Sequence, residues 1–177
     1  MARYAVLLRG INVGRAKRVA MADLRDLLTD LGYTAVRTHL NSGNVVLTGD
    51  DADTAVHAAR IETAIRDRLG MDVRCAVLTA EELRAIVEGH PFPDVADNGS
   101  RMMAYVYVSP VDPALVAGHP PVPQDPERAR VGDRALYQWC PDGLMGAPDV
   151  GPYIRQHLRT DVTARNWNTI TKLAGLV

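Results

Sequence analysis

The sequence predicts an α+β fold in two successive halves, on three observations. The apolar pattern runs strand, helix, strand, strand, helix, strand, and then repeats. Tight-turn residues stand where paired strands must reverse, at Asn41-Ser42-Gly43 and again at Gly132-Asp133. Between the halves, His90-Pro91-Phe92-Pro93 and Asp97-Asn98-Gly99-Ser100 break the pattern, which sets the expected units at residues 1–92 and 93–177.

Arg3 to Leu8 is a near-continuous apolar run, as in a central strand. Met21, Leu24, Leu27, Leu28 and Leu31 then fall on one helical face, closed at Gly32. Thr34 to Leu40 and Asn44 to Thr48 favour strands that pair through the turn between them. Asp53 to Leu69 turns Ala58, Ile61, Ile65 and Leu69 inward on a second helix, and Asp72 to Leu78 returns as a strand. Thr79-Ala80-Glu81-Glu82 spells a capping box, so a short helix runs to Glu88.

The second half repeats the order. Met102 to Val108 reads as a strand, Pro113 to Ala117 as a short helix, and Arg128 to Val131 with Ala135 to Trp139 as a hairpin. Pro148 to Leu158 reads as helix, Thr160 to Val162 as a short strand, and Ala164 to Leu173 as a final helix capped by Thr163. Each half has the order of a ferredoxin-like (βαββαβ) unit. The expectation is two such units in tandem, with mainly antiparallel sheets, helices on one face and a C-terminal helix.

Composition narrows the function. The 177 residues carry a formal net charge of -1, so attraction to nucleic acid or an anionic surface must come from a local patch. The start, Met1 to Leu8, is too short and too weakly basic for a signal peptide, and no run reaches membrane-spanning length. A cytoplasmic protein with no membrane partner is expected. Cys75 and Cys140 lack zinc or CxxC spacing, so both read as core thiols and no metal site is expected. No motif names a cofactor.

The local patch is Arg9-Gly10-Ile11-Asn12-Val13-Gly14-Arg15-Ala16-Lys17-Arg18, which gathers four cations and no acid after the first strand. In a βαββαβ unit the ends of strands one and two and the start of strand three share one sheet edge, so this loop hangs beside Asn41-Ser42-Gly43-Asn44. Arg9, Arg15, Lys17 and Arg18 would offer cationic donors, and Asn12, Asn41, Ser42 and Asn44 neutral ones. Gly10 and Gly14 would let backbone amides approach a ligand, and the next helix points its positive end at the loop. The spacing is neither a Walker A loop nor GxGxxG. The same residue types also suit ordinary turns.

A second constellation, Arg165, Asn166 and Asn168, crowds the first turns of the last predicted helix, where an anion is favoured. The alternative is an amphipathic helix docked through Trp167. His39 beside the basic loop is a candidate acid or base, without a neighbouring carboxylate to orient it.

The segments Tyr4-Ala5-Val6-Leu7-Leu8-Arg9-Gly10-Ile11-Asn12-Val13-Gly14, Leu31-Gly32-Tyr33, Leu40-Asn41-Ser42-Gly43-Asn44-Val45-Val46 and Val162-Thr163-Ala164-Arg165-Asn166-Trp167-Asn168-Thr169-Ile170 resemble the signature blocks of a bacterial family catalogued as domain of unknown function 1697. The resemblance spans nearly the whole chain. The family pattern has a second glycine where this chain has Arg15, and a phenylalanine where it has Leu47. The resemblance implies an α+β fold of ferredoxin-like units and assigns no reaction, substrate or catalytic residue.

Three functions follow from these residues. The first is binding of a phosphorylated small molecule or a nucleic-acid backbone at the basic loop; with only nine aromatics, stacking readout of RNA is disfavoured. The second is an enzyme acting on a small anionic substrate in a cleft between the halves. The third is a structural role, with self-association through open sheet edges.

Overall fold

The computed structural model describes residues 1–14 and 17–177. The chain divides into two units, Met1–Leu83 with Gly175–Val177, and Arg84–Ala174.

In the first unit β1 (Ala2–Leu8) lies between β3 (Asn44–Gly49) and β4 (Cys75–Thr79), with β2 (Thr34–His39) outside β3. The order is β2-β3-β1-β4 and each pairing is antiparallel. Tyr4, Val6 and Leu8 turn to one face and join Leu24, Leu27 and Leu28 of α1 (Met21–Asp30) with Ile61 and Ile65 of α2 (Thr54–Leu69). Ala5 and Leu7 are equally buried on the other face, which is why the run is continuous rather than alternating. Asp53 caps α2 by accepting from the Ala55 amide at 2.8 Å, and Gly70 closes it at φ 63°.

β2 carries a bulge. Thr34 lies opposite Thr48, but Arg37 lies opposite Val46, so three steps along β2 match two along β3. Ala35 absorbs the extra residue at φ 50°.

A polar cluster closes the far end of this core. The Asp50 carbonyl is an acceptor only, so the His57 Nε2 that meets it at 3.2 Å carries the proton. In the neutral ring Nδ1 then accepts from the Tyr33 hydroxyl at 2.8 Å. Tyr4 also donates to the Asp50 carbonyl, at 2.9 Å.

After β4 the capping box forms as the sequence predicts. The Glu82 amide donates to Thr79 Oγ1 and the Thr79 amide to Glu82 Oε2, both at 3.0 Å, and start α3 (Ala80–Glu88).

In the second unit β5 (Met102–Tyr107) lies between β7 (Ala135–Trp139) and β8 (Val162–Asn166), with β6 (Ala129–Val131) outside β7. The order β6-β7-β5-β8 matches the first unit, and all pairings are again antiparallel. α4 (Pro113–Val116) follows β5, and α5 (Gly151–Tyr153) precedes β8. Tyr107, Val131, Leu136, Val150, Ile154 and Leu158 form the core. Gln138, fully buried, donates to Asp125 Oδ2 and the Pro148 carbonyl, both at 3.0 Å, and accepts from Tyr105 at 2.9 Å, so its amide is satisfied.

Four sequence expectations are corrected here. The predicted helix from Pro148 to Leu158 is helical only from Gly151, and widens to a π-helical turn over Ile154–Leu158 that stops at Arg159, φ 53°. The strand expected over Thr160 to Val162 runs instead over Val162–Asn166, and the last helix, α6 (Trp167–Ala174), starts three residues later than predicted. Pairing with β5 overrides the helix propensity of Ala164 and Arg165: Arg165 lies opposite Ala104 and Asn166 opposite Met103. Thr163 is therefore a strand residue. Asn166 caps α6, accepting from the Thr169 amide at 3.1 Å.

Among the described residues no helix is long and apolar enough to cross a membrane.

Burial raises the tyrosines Tyr33, Tyr105, Tyr107 and Tyr137 above their ordinary 10.0, raises Cys75, and pushes Cys140 up to about 11. Above pH 9 to 10 the unfolded chain releases these protons while the folded chain holds them. The stability they contribute is thus complete below that range and is lost as pH rises through it. Tm should fall steadily above about pH 9 to 10, with tyrosinate absorbance appearing together with unfolding. A flat Tm up to pH 11 would contradict the buried state of these groups.

Candidate functional site

The rim is assembled by main-chain bonds at the end of β1. The Leu8 amide donates to the Gly43 carbonyl at 2.9 Å, and the Arg9 amide to the Arg74 carbonyl at 2.8 Å. The loop after β1 therefore starts beside the β2–β3 hairpin, as the predicted topology requires. Ile11, 2% exposed, roots the loop in the core.

Asn12 ties the two segments. Its Nδ2 donates to the Val19 carbonyl at 2.9 Å and to the Asn41 carbonyl at 2.7 Å, and its Oδ1 accepts from the Val19 amide at 2.9 Å. Its own amide donates to the Lys17 carbonyl at 3.0 Å, which closes the loop. Asn12 takes φ 55° to do this, a conformation asparagine tolerates better than most residues. Asn44 is also an organiser: fully buried, it donates to the His39 carbonyl and to Ser42 Oγ, both at 2.9 Å. These two amides hold the rim together rather than projecting from it.

The projecting groups are cationic. Arg9, Lys17 and Arg18 are exposed, as are Gly10, Gly14 and Asn41, while Ser42 is half-buried. Lys17 Nζ donates to the Asp72 carbonyl at 2.7 Å, which leaves its charge without a counter-charge in that bond. Arg15 lies outside the described residues. Gly10 and Gly14 adopt φ 66° and 62°, and a Cβ on either would meet nothing within 4 Å, so both serve the turn of the chain rather than close packing.

Asn12, Arg18, Val19, Ala20, Met21 and Asn41 line an open hollow of about 440 Å³ on this rim. Ala20 precedes α1 and supplies no side-chain cap, so the positive end of the helix borders the hollow; Asp23 in the first turn offsets part of it. Val19, Ala20 and Met21 were not among the predicted site residues. Their signal is positional, because they join the basic loop to the helix. His39 is half-buried at the hairpin, with its carbonyl held by Asn44. Among the described residues no group of three or more His, Cys, Asp or Glu is placed to hold a metal.

The second predicted constellation lies in the second unit and is reshaped by the longer β8. Arg165 is a strand residue, 9% exposed, whose Nη1 donates to Thr163 Oγ1 at 2.7 Å and to the Ala164 carbonyl at 2.8 Å. Burial lowers its pKa to about 10, which leaves it cationic at neutral pH. Asn166 spends its carboxamide oxygen on the α6 cap, and Asn168 is exposed. The expected crowding of three donors on a first helical turn is replaced by a buried strand arginine, a cap and one surface amide.

These features define an α+β protein with two four-stranded antiparallel sheets and a C-terminal helix. The model of the family described as "Protein of unknown function (DUF1697)" matches residues 1–137, and the chain belongs to that family. It is similar to a solved structure, the conserved bacterial protein SP0830 from Streptococcus pneumoniae, at 25% identity and a TM-score of 0.75, covering 99% of this chain and 98% of the other. No curated protein matches the sequence.

Proposed function

We propose that this is a cytoplasmic binding protein for a phosphate-bearing ligand, a nucleotide or a nucleic-acid backbone, held at the rim formed by the glycine loop and the β2–β3 hairpin. The observation that carries the reading is the Asn12 tie, which joins the loop bearing exposed Arg9, Lys17 and Arg18 to the hairpin, with Arg18 lining the open hollow between them. Charge-assisted hydrogen bonds from guanidinium and ammonium groups suit phosphate oxygens, and the uncapped start of α1 adds a favourable field. The strand order in both units supports the finer description of each as ferredoxin-like.

The test is equilibrium binding of labelled nucleotides and short oligonucleotides to the full chain at two salt concentrations. Affinity is expected to fall steeply between about 50 and about 200 mM salt, and each of Arg9→Ala and Arg18→Ala to cost roughly 1.5–3 kcal/mol of binding. Absence of binding at low salt, or indifference to both substitutions, overturns the reading.

A further inference from the structure

A second cationic hollow lies at the opposite end of β1, about 80 Å³ in volume and lined by Arg3, Ala35, Arg37, Val46, Thr48 and Leu176. The strand register explains its composition. Arg3 lies opposite Thr48 across β1 and β3, and Arg37 opposite Val46 across β2 and β3. Val46 and Thr48 are two residues apart and share a face, so all four side chains do.

Arg37 reaches that face only because of the bulge. Continued in register from Thr34 opposite Thr48, β2 would set Val36 opposite Val46 and Arg37 opposite Val45, a fully buried residue of the helix-covered core. The extra residue at Ala35 shifts Arg37 by one position and so moves it to the other side of the sheet. A residue at positive φ is thus used to bring a second guanidinium to a hollow that already holds one. Neither arginine has an acidic partner among the described residues.

We propose that this hollow is an oxyanion site, separate from the loop rim, in which the Arg3 and Arg37 guanidinium groups and the Thr48 hydroxyl grip one phosphate or carboxylate group. Two planar forks and a hydroxyl lining one hollow present the donor set such a group takes, and about 80 Å³ holds one small anion rather than a nucleotide base with its sugar.

The experiment is a titration of the full chain, labelled with ¹⁵N-arginine, with inorganic phosphate and separately with acetate, at constant ionic strength held with chloride. Arg3 and Arg37 Nε resonances should move saturably with one shared midpoint. Arg3→Gln or Arg37→Gln should weaken that midpoint by about tenfold or more, and Arg3→Lys should weaken it too, because an ammonium lacks the fork. Tighter saturation by phosphate or by acetate identifies which oxyanion the site prefers. Linear, unsaturated shifts with both anions, or an unchanged midpoint in the glutamine variants, overturn the proposal. Arg9 and Arg18 resonances report the loop rim separately, so each site stands or falls on its own signals.

Discussion

Gly43→Ala is expected to destabilise the protein by about 2–5 kcal/mol, summing backbone strain and overpacking. Gly43 holds φ +79°, and a Cβ there would lie 2.7 Å from Ile11 Cδ1 and 2.9 Å from Leu8 Cβ. Leu8 ends the central strand and cannot retreat, since its Cβ is set by backbone pairing to Cys75. The hairpin must therefore lift, stretching the bond from the Leu8 amide to the Gly43 carbonyl that joins it to the rim. Gly10→Ala is the internal control: φ is +66° but the space is open, so its cost should stay near about 1 kcal/mol. Urea unfolding of the two variants separates the terms. Equal losses would mean that Gly43 matters only for its dihedral and that the close packing of hairpin against β1 is wrong.

Asn12→Ala should remove the tie between loop and hairpin, at a cost of about 1–3 kcal/mol in stability and a larger proportional loss in ligand binding. Three hydrogen bonds disappear at once, and Val19 is left with an unmet amide and carbonyl at the entrance to α1. Alanine also fits φ 55° poorly, so Asn12→Gly divides the effect: it relieves the backbone and still loses all three side-chain bonds. Hydrogen exchange at the Val19 amide reads the local event directly. Faster exchange in both variants, with glycine the more stable, is the expected pattern. Unchanged protection of that amide would show that Asn12 does not hold the loop.

The fold was legible where local chemistry and tertiary context agree. Leucine spacing in α1, the Asn41-Ser42-Gly43 reversal and the Thr79–Glu82 box each contain their own explanation within a few residues. β8 was misread because Ala164 and Arg165 favour a helix in isolation, and only the ladder to β5 makes them a strand. The bulge at Ala35 and the widened turn at Ile154–Leu158 leave no compositional mark, since both arise from fitting a chain to neighbours distant in sequence. The rim was legible as a place, because topology dictates it. The roles within it were not: Asn12 and Asn44 look like donors on paper and act as internal braces, a distinction that depends on carbonyls 29 and 5 residues away respectively.

The kink in β2 has a bearing on colloidal behaviour. An incoming extended chain needs a flat row of evenly spaced amides and carbonyls to copy, and this margin offers a left-handed alanine at position 35 and an arginine two residues on instead. The same single-residue insertion that redirects Arg37 therefore breaks the even spacing of backbone groups along this margin and makes it a poorer template for strand addition.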